Sequence, residues 1–145
     1  MFERYPEKAR RVILFAFKEA NEFGTPYIDT EHLLLGLLRA DKSLADRILD
    51  SRDASIESIR TRLAEGRTTK TSPSNVNTLP LSQESKRVLA YSVEEAEWVG
   101  HKQIGTEHLL VGLLREEKCL AAKILNEHGA SLSTAREELG RGQAK

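Results

Sequence analysis

Residues Thr30-Glu31-His32-Leu33-Leu34 return unchanged as Thr106-Glu107-His108-Leu109-Leu110, 76 positions later. The copy runs on. Gly36-Leu37-Leu38-Arg39 recurs as Gly112-Leu113-Leu114-Arg115, Leu44-Ala45 as Leu120-Ala121, Ile48-Leu49 as Ile124-Leu125, and Ala54-Ser55 as Ala130-Ser131. Residues 5–65 overlay 81–141 without a gap, and about two dozen of some sixty positions are identical. A long period present only twice specifies a duplicated unit rather than a solenoid, whose repeats are shorter and more numerous. Two such halves are expected to pack as a pseudo-symmetric pair, each surface feature of one half having a counterpart on the other.

The period inside each unit is helical. Pro6 suits the first turn of a helix, where its missing N–H costs nothing. Ala9, Val12, Ile13, Ala16, Ala20 and Phe23 follow at spacings of three and four, and Gly24 ends the run. Ser85, Val88, Leu89, Ser92, Ala96 and Val99, ended by Gly100, form the matching stripe. Thr30 is expected to cap a second helix, with Glu31 in its first turn facing the positive end of the dipole. Leu33, Leu34, Leu35, Leu37 and Leu38 make that helix apolar on nearly every side, so it belongs at the centre of its half. Gly36 and Gly112 lower helix propensity by about 1 kcal/mol each relative to Ala, which points to close helix–helix approach. Leu44, Ala45, Ile48 and Leu49 mark a third helix; Ile56, Ile59 and Leu63, capped by Ser55, mark a fourth. The polar, Pro- and Ser-bearing stretch of about 66–80 reads as a linker between repeats at about 5–65 and 81–141. No segment alternates with period two. The expected fold is all-α, about eight helices in two four-helix repeats forming a single domain over 1–145.

Composition narrows the function. Lysines plus arginines and aspartates plus glutamates both number 22, so the basic excess of a nucleic-acid binder is absent. Cys119 is the only cysteine, which excludes an internal disulfide and favours a reducing compartment. No apolar run has the length of a membrane span, and the N-terminus lacks a signal-peptide core. A cytoplasmic protein without membrane or nucleic-acid partners is expected. No phosphate-binding GxxxxGK[ST] loop occurs, so this chain carries no ATPase site of that kind.

Thr-Glu-His, present twice, is the candidate site. One copy alone reads as a helix start: Thr caps, Glu answers the dipole, His makes a local hydrogen bond. Retention of all three in both copies, while Asp29/Gly105 and Ala40/Glu116 diverge, makes Glu31 and Glu107 candidate acceptors for a cationic group. The neighbouring helix N–H groups could hold an anion. A metal site of Glu31, His32, Glu107 and His108 would require the two helix starts to meet, and first-turn spacing does not place Glu and His on one face. A Glu–His enzyme lacks a nucleophile motif. Neither a metal nor another cofactor is expected. Trp98 opposite Glu22, and Tyr27 opposite Gln103, are aromatics that the duplication does not match.

Two units, each with a Gly-x-x-x-Ile-x-Thr-Glu-His-Leu-Leu-x-Gly-Leu-Leu-Arg core, resemble the double Clp-N domain. Met1-Phe2-Glu3-Arg4 and Gly100-His101-x-x-Ile104-Gly105-Thr106-Glu107-His108 are most similar to the N-terminal domain of ClpC-type AAA+ unfoldases. The resemblance covers nearly the whole chain. It implies a module that recruits protein substrates and adaptor proteins to a ring-shaped unfoldase feeding a protease. It also implies binding of phosphoarginine marks, with Glu31 and Glu107 as guanidinium acceptors and Thr30 and Thr106 shaping the pocket. The first repeat departs from the pattern: Asp29 stands where the second has Gly105, and Thr25-Pro26-Tyr27 replaces His101-Lys102-Gln103. Asp29 adds negative charge where a phosphate would sit, so the Glu107 site is expected to bind the mark better. A free-standing double Clp-N adaptor, with unfoldase modules in trans rather than in cis, is the alternative of the same class. A small metal-dependent enzyme is the alternative of another.

Overall fold

The computed structural model describes residues 3–48, 56–65 and 78–143. Among them are eight helices: α1 (Glu7–Phe23), α2 (Thr30–Ala40), α3 (Lys42–Ile48), α4 (Ile56–Glu65), α5 (Gln83–Trp98), α6 (Thr106–Arg115), α7 (Leu120–Glu127) and α8 (Leu132–Gln143). The all-α expectation holds. Its only extended pairing among the described residues is an isolated bridge between Ile28 and Leu81. Ser55, Leu49 and most of the linker lie outside the described residues, as do the side chains of Ala45 and Ile48. None of the described helices is long and apolar enough to cross a membrane.

α1 runs between Pro6 and Gly24, whose φ of 72° is the left-handed conformation that lets the chain leave the helix. Its small buried residues, Ala9, Ala16 and Ala20, let α2 come close. The leucines of α2 are all buried, as are Leu109, Leu110, Val111, Leu113 and Leu114 of α6, so the two central helices form the core. The glycine expectation is met directly. A Cβ on Gly36 would run into the Val12 carbonyl of α1, and one on Gly112 into the Val88 carbonyl and Ser92 hydroxyl of α5. Each central helix therefore touches its neighbour backbone to backbone.

A buried ion network ties each half together, and it repeats. Glu19 of α1 is fully buried; it accepts from Arg39 Nη1 of α2 at 3.1 Å and from Arg60 Nε of α4 at 3.2 Å. In the second half Glu95 accepts from Arg115 Nη1 at 3.1 Å and from Arg136 Nε at 3.1 Å. Arg39 lies over the Phe15 ring, 4.3 Å from its centre, and Arg115 over Tyr91 at 4.2 Å. A carboxylate survives burial because guanidinium groups on two sides satisfy it.

The halves clasp each other reciprocally. Ile28 N–H donates to the Pro80 carbonyl at 2.8 Å, and Ser82 N–H returns to the Ile28 carbonyl at 2.9 Å. At the equivalent place Ile104 N–H donates to the Arg4 carbonyl at 2.8 Å. The segment before the first helix of each repeat thus pairs with the connection inside the other, as in a twofold interface.

Candidate functional site

The cap of each central helix lies one residue earlier than expected. Asp29 and Gly105 are the N-caps, and Thr30 and Thr106 are the first helical residues. The correction has a physical basis: both threonine side chains are drawn across the interface between the halves. Thr106 donates its hydroxyl to Asp41 Oδ2 at 2.7 Å, at the far end of α2. Asp41 Oδ1 meanwhile accepts from the Leu44 N–H and starts α3. Thr30 lies beside the sulfur of Cys119 and favours its thiolate, and that sulfur caps α7 by accepting from the Ala122 N–H. Both threonines are buried, and burial pushes the Cys119 thiol up from its ordinary pKa.

The histidines hold the helix starts from inside. His32 Nδ1 accepts the Asp29 N–H at 2.9 Å, and His108 Nδ1 accepts the Gly105 N–H at 2.8 Å. Both rings are buried. His108 Nε2 also lies 2.8 Å from His101 Nδ1. With Nδ1 accepting, the His108 proton sits on Nε2 and is given to His101, so the pair fits two neutral rings. Desolvation pushes the His108 pKa below its ordinary value, against the opposing pull of Glu107.

Of the three duplicated residues, the glutamates alone are turned outward. Glu31 is half-buried, and the Glu107 side chain is 38% exposed. Glu107 folds back over its own helix start. Its Oε2 lies 3.4 Å from the Thr106 hydroxyl, and a Cβ at Gly105 would meet its Oε1 at 2.5 Å. Gly105, the N-cap of α6, has no side chain of its own to offer the first-turn N–H groups. The first repeat fills that space: Asp29 Oδ1 accepts from the Thr30 N–H at 2.9 Å and from the Ser82 hydroxyl at 3.0 Å. Both helix starts thus carry a carboxylate: at the first it belongs to the N-cap and is held from the other half, and at the second it belongs to the partly exposed Glu107.

The two entrances do not form one site. Thr106 meets Asp41 at the end of α2, while Thr30 meets Cys119 beyond the end of α6, so α2 and α6 run in opposite directions. The eleven residues of α2 separate the entrances by about 16 Å. The metal centre of Glu31, His32, Glu107 and His108 fails on this geometry, and the described residues contain no group of three candidate ligands elsewhere.

The Clp repeat (R) N-terminal domain profile matches residues 4–128 and 82–141. The chain belongs to the Clp N-terminal domain family. This Clp-N domain is 37% identical over 141 residues to the negative regulator of genetic competence ClpC/MecB of Bacillus subtilis, covering 96% of this chain and 17% of that protein. It is 39% identical over 139 residues to the chloroplastic chaperone protein ClpC1 of Arabidopsis thaliana, covering 96% of this chain and 15% of the relative. The N-terminal domain of Arabidopsis ClpD superposes with a TM-score of 0.75 at 28% identity, over 97% of both chains. The Clp-N chain therefore spans about a sixth of the length of these curated relatives. The sequence reading missed the Glu19 and Glu95 networks, although Glu19, Arg39 and Arg60 all recur unchanged at 95, 115 and 136.

Proposed function

We propose that this Clp-N domain recruits protein substrates and adaptor proteins to a Clp AAA+ unfolding and degradation system, and that it binds phosphoarginine-marked proteins. The observation that carries the reading is the division of labour within Thr-Glu-His. Threonine and histidine are buried and hold the fold, and a partly exposed glutamate stands at each helix start. A carboxylate pairs with the planar guanidinium fork, and once Glu107 turns to that group, the first-turn N–H groups of α6 that it covered suit the attached phosphate. Glu107 is the principal acceptor and Glu31 the weaker one; Thr106 and Thr30 shape the sites by fixing the helix starts. The unfoldase modules act in cis or in trans, and the cytoplasmic setting expected from the lone thiol belongs to the same proposal.

Calorimetric titration with a phosphoarginine peptide tests the reading. Glu107→Ala should weaken binding about tenfold, the loss of one charge-assisted contact, and Glu31→Ala by less. Equal losses would remove the asymmetry. Binding that ignores both substitutions would move recognition to another surface.

A further inference from the structure

Trp98, at the end of α5, is 87% exposed, the most exposed large apolar side chain among the described residues. It borders a cleft of about 460 Å³ lined also by Glu94, Glu95, Val99, Arg115, Arg136 and Leu139. The same place in the first repeat shows what this cleft lacks. There Arg60, the counterpart of Arg136, gives Nη1 to Glu57 Oε1 at 3.0 Å and also feels the charge of Glu22. In the second repeat Ser133 stands at the Glu57 position and Trp98 at the Glu22 position. Arg136 spends Nε and Nη2 on Glu95, at 3.1 and 3.0 Å, and its Nη1 has no partner among the described residues. Half of the Arg136 side chain is exposed, against 31% for Arg60. Glu94, which replaces Lys18, is held by Arg115 Nη2 at 3.2 Å.

We infer that the Trp98 cleft docks an acidic segment of a partner protein, whose carboxylate takes the open edge of Arg136 as Glu57 takes that of Arg60. An apolar side chain beside that carboxylate packs on the exposed Trp98 indole. Such a segment would place a rigid aromatic and an arginine at the centre of the contact, the residue types that dominate interface energetics. None of the lining residues is Glu107, Thr106 or Gly105, and the proposal does not depend on phosphoarginine recognition.

Trp98 is the sole tryptophan, so its emission reports on this cleft alone. The probe is a terminally capped peptide with one glutamate between leucine and phenylalanine, titrated into the full 145-residue chain. A saturable blue shift is expected, weakened about tenfold when the glutamate becomes glutamine. Ser133→Glu supplies the missing carboxylate internally at an exposed position in the first turn of α8, so it should leave the chain folded and abolish the shift. Glu107→Ala should leave the titration unchanged. The proposal is overturned if no saturable shift occurs, if the glutamine peptide binds equally, or if Ser133→Glu binds like the parent. Equal binding by a glutamate-free peptide with an uncapped C-terminus would overturn it too, since a chain terminus would then be the occupant.

Discussion

The two helix entrances carry the same three residues and differ in which carboxylate covers the helix start. At α2, Asp29 occupies the cap and is itself held by Ser82 from the other half. At α6 the cap is a bare glycine, with Glu107 folded over it and a histidine pair behind. Duplication fixed the parts that hold the helices, and the position facing an incoming anion diverged. Identity of a motif therefore does not establish equality of the sites built on it.

The largest test concerns what the halves share. Glu19→Gln should cost about 3 kcal/mol in urea denaturation, because it leaves guanidinium groups without their buried carboxylate. Glu95→Gln should cost somewhat less, about 2 kcal/mol, because water reaches the half-exposed Arg136. A negligible loss at either would show that the repeated network does not hold the helices. Next come Gly36→Ala and Gly112→Ala, each forcing a methyl against a carbonyl, with about 2 kcal/mol expected by thermal or chemical denaturation. Gly36→Ala should be the costlier, since only the second site has a hydroxyl among its obstacles.

Exchange of the caps then addresses recognition. Gly105→Asp should weaken phosphoarginine binding about tenfold, and Asp29→Gly should strengthen binding at the first entrance, both read by calorimetry. No change from Gly105→Asp would separate anion binding from the helix start. The smallest effect concerns pH. Folded His108 holds its proton less readily than an unfolded histidine of pKa 6.5, so folding is at full strength above that value. Stability should decline as pH falls from 6.5 toward the lower folded value. Urea midpoints across this range, with the His108 ring followed by NMR, would check it; a His108 midpoint above 6.5 would contradict it.

The helices and the close approach at Gly36 and Gly112 were legible because periodicity and glycine placement are local signals. Cap assignment missed by one residue: Thr30 and Thr106 are good capping residues, but Thr106 donates to Asp41 of the opposite half and Thr30 lies beside Cys119. No local pattern reveals such a partner. The Glu19 network was legible in principle, since an acidic residue kept within an apolar stripe alongside two retained arginines implies buried pairing. The divergent charge at Asp29 was visible, whereas its bond to Ser82 needed the packed halves.

The exchanged clasps at Ile28–Pro80 and Ile104–Arg4 have a consequence for the origin of the molecule. Each four-helix unit holds a backbone edge that only its twin can close, so a solitary unit would pair with a second copy of itself. The present chain has the geometry of a homodimer whose two subunits became one polypeptide, and fusion freed each entrance to change without altering the other.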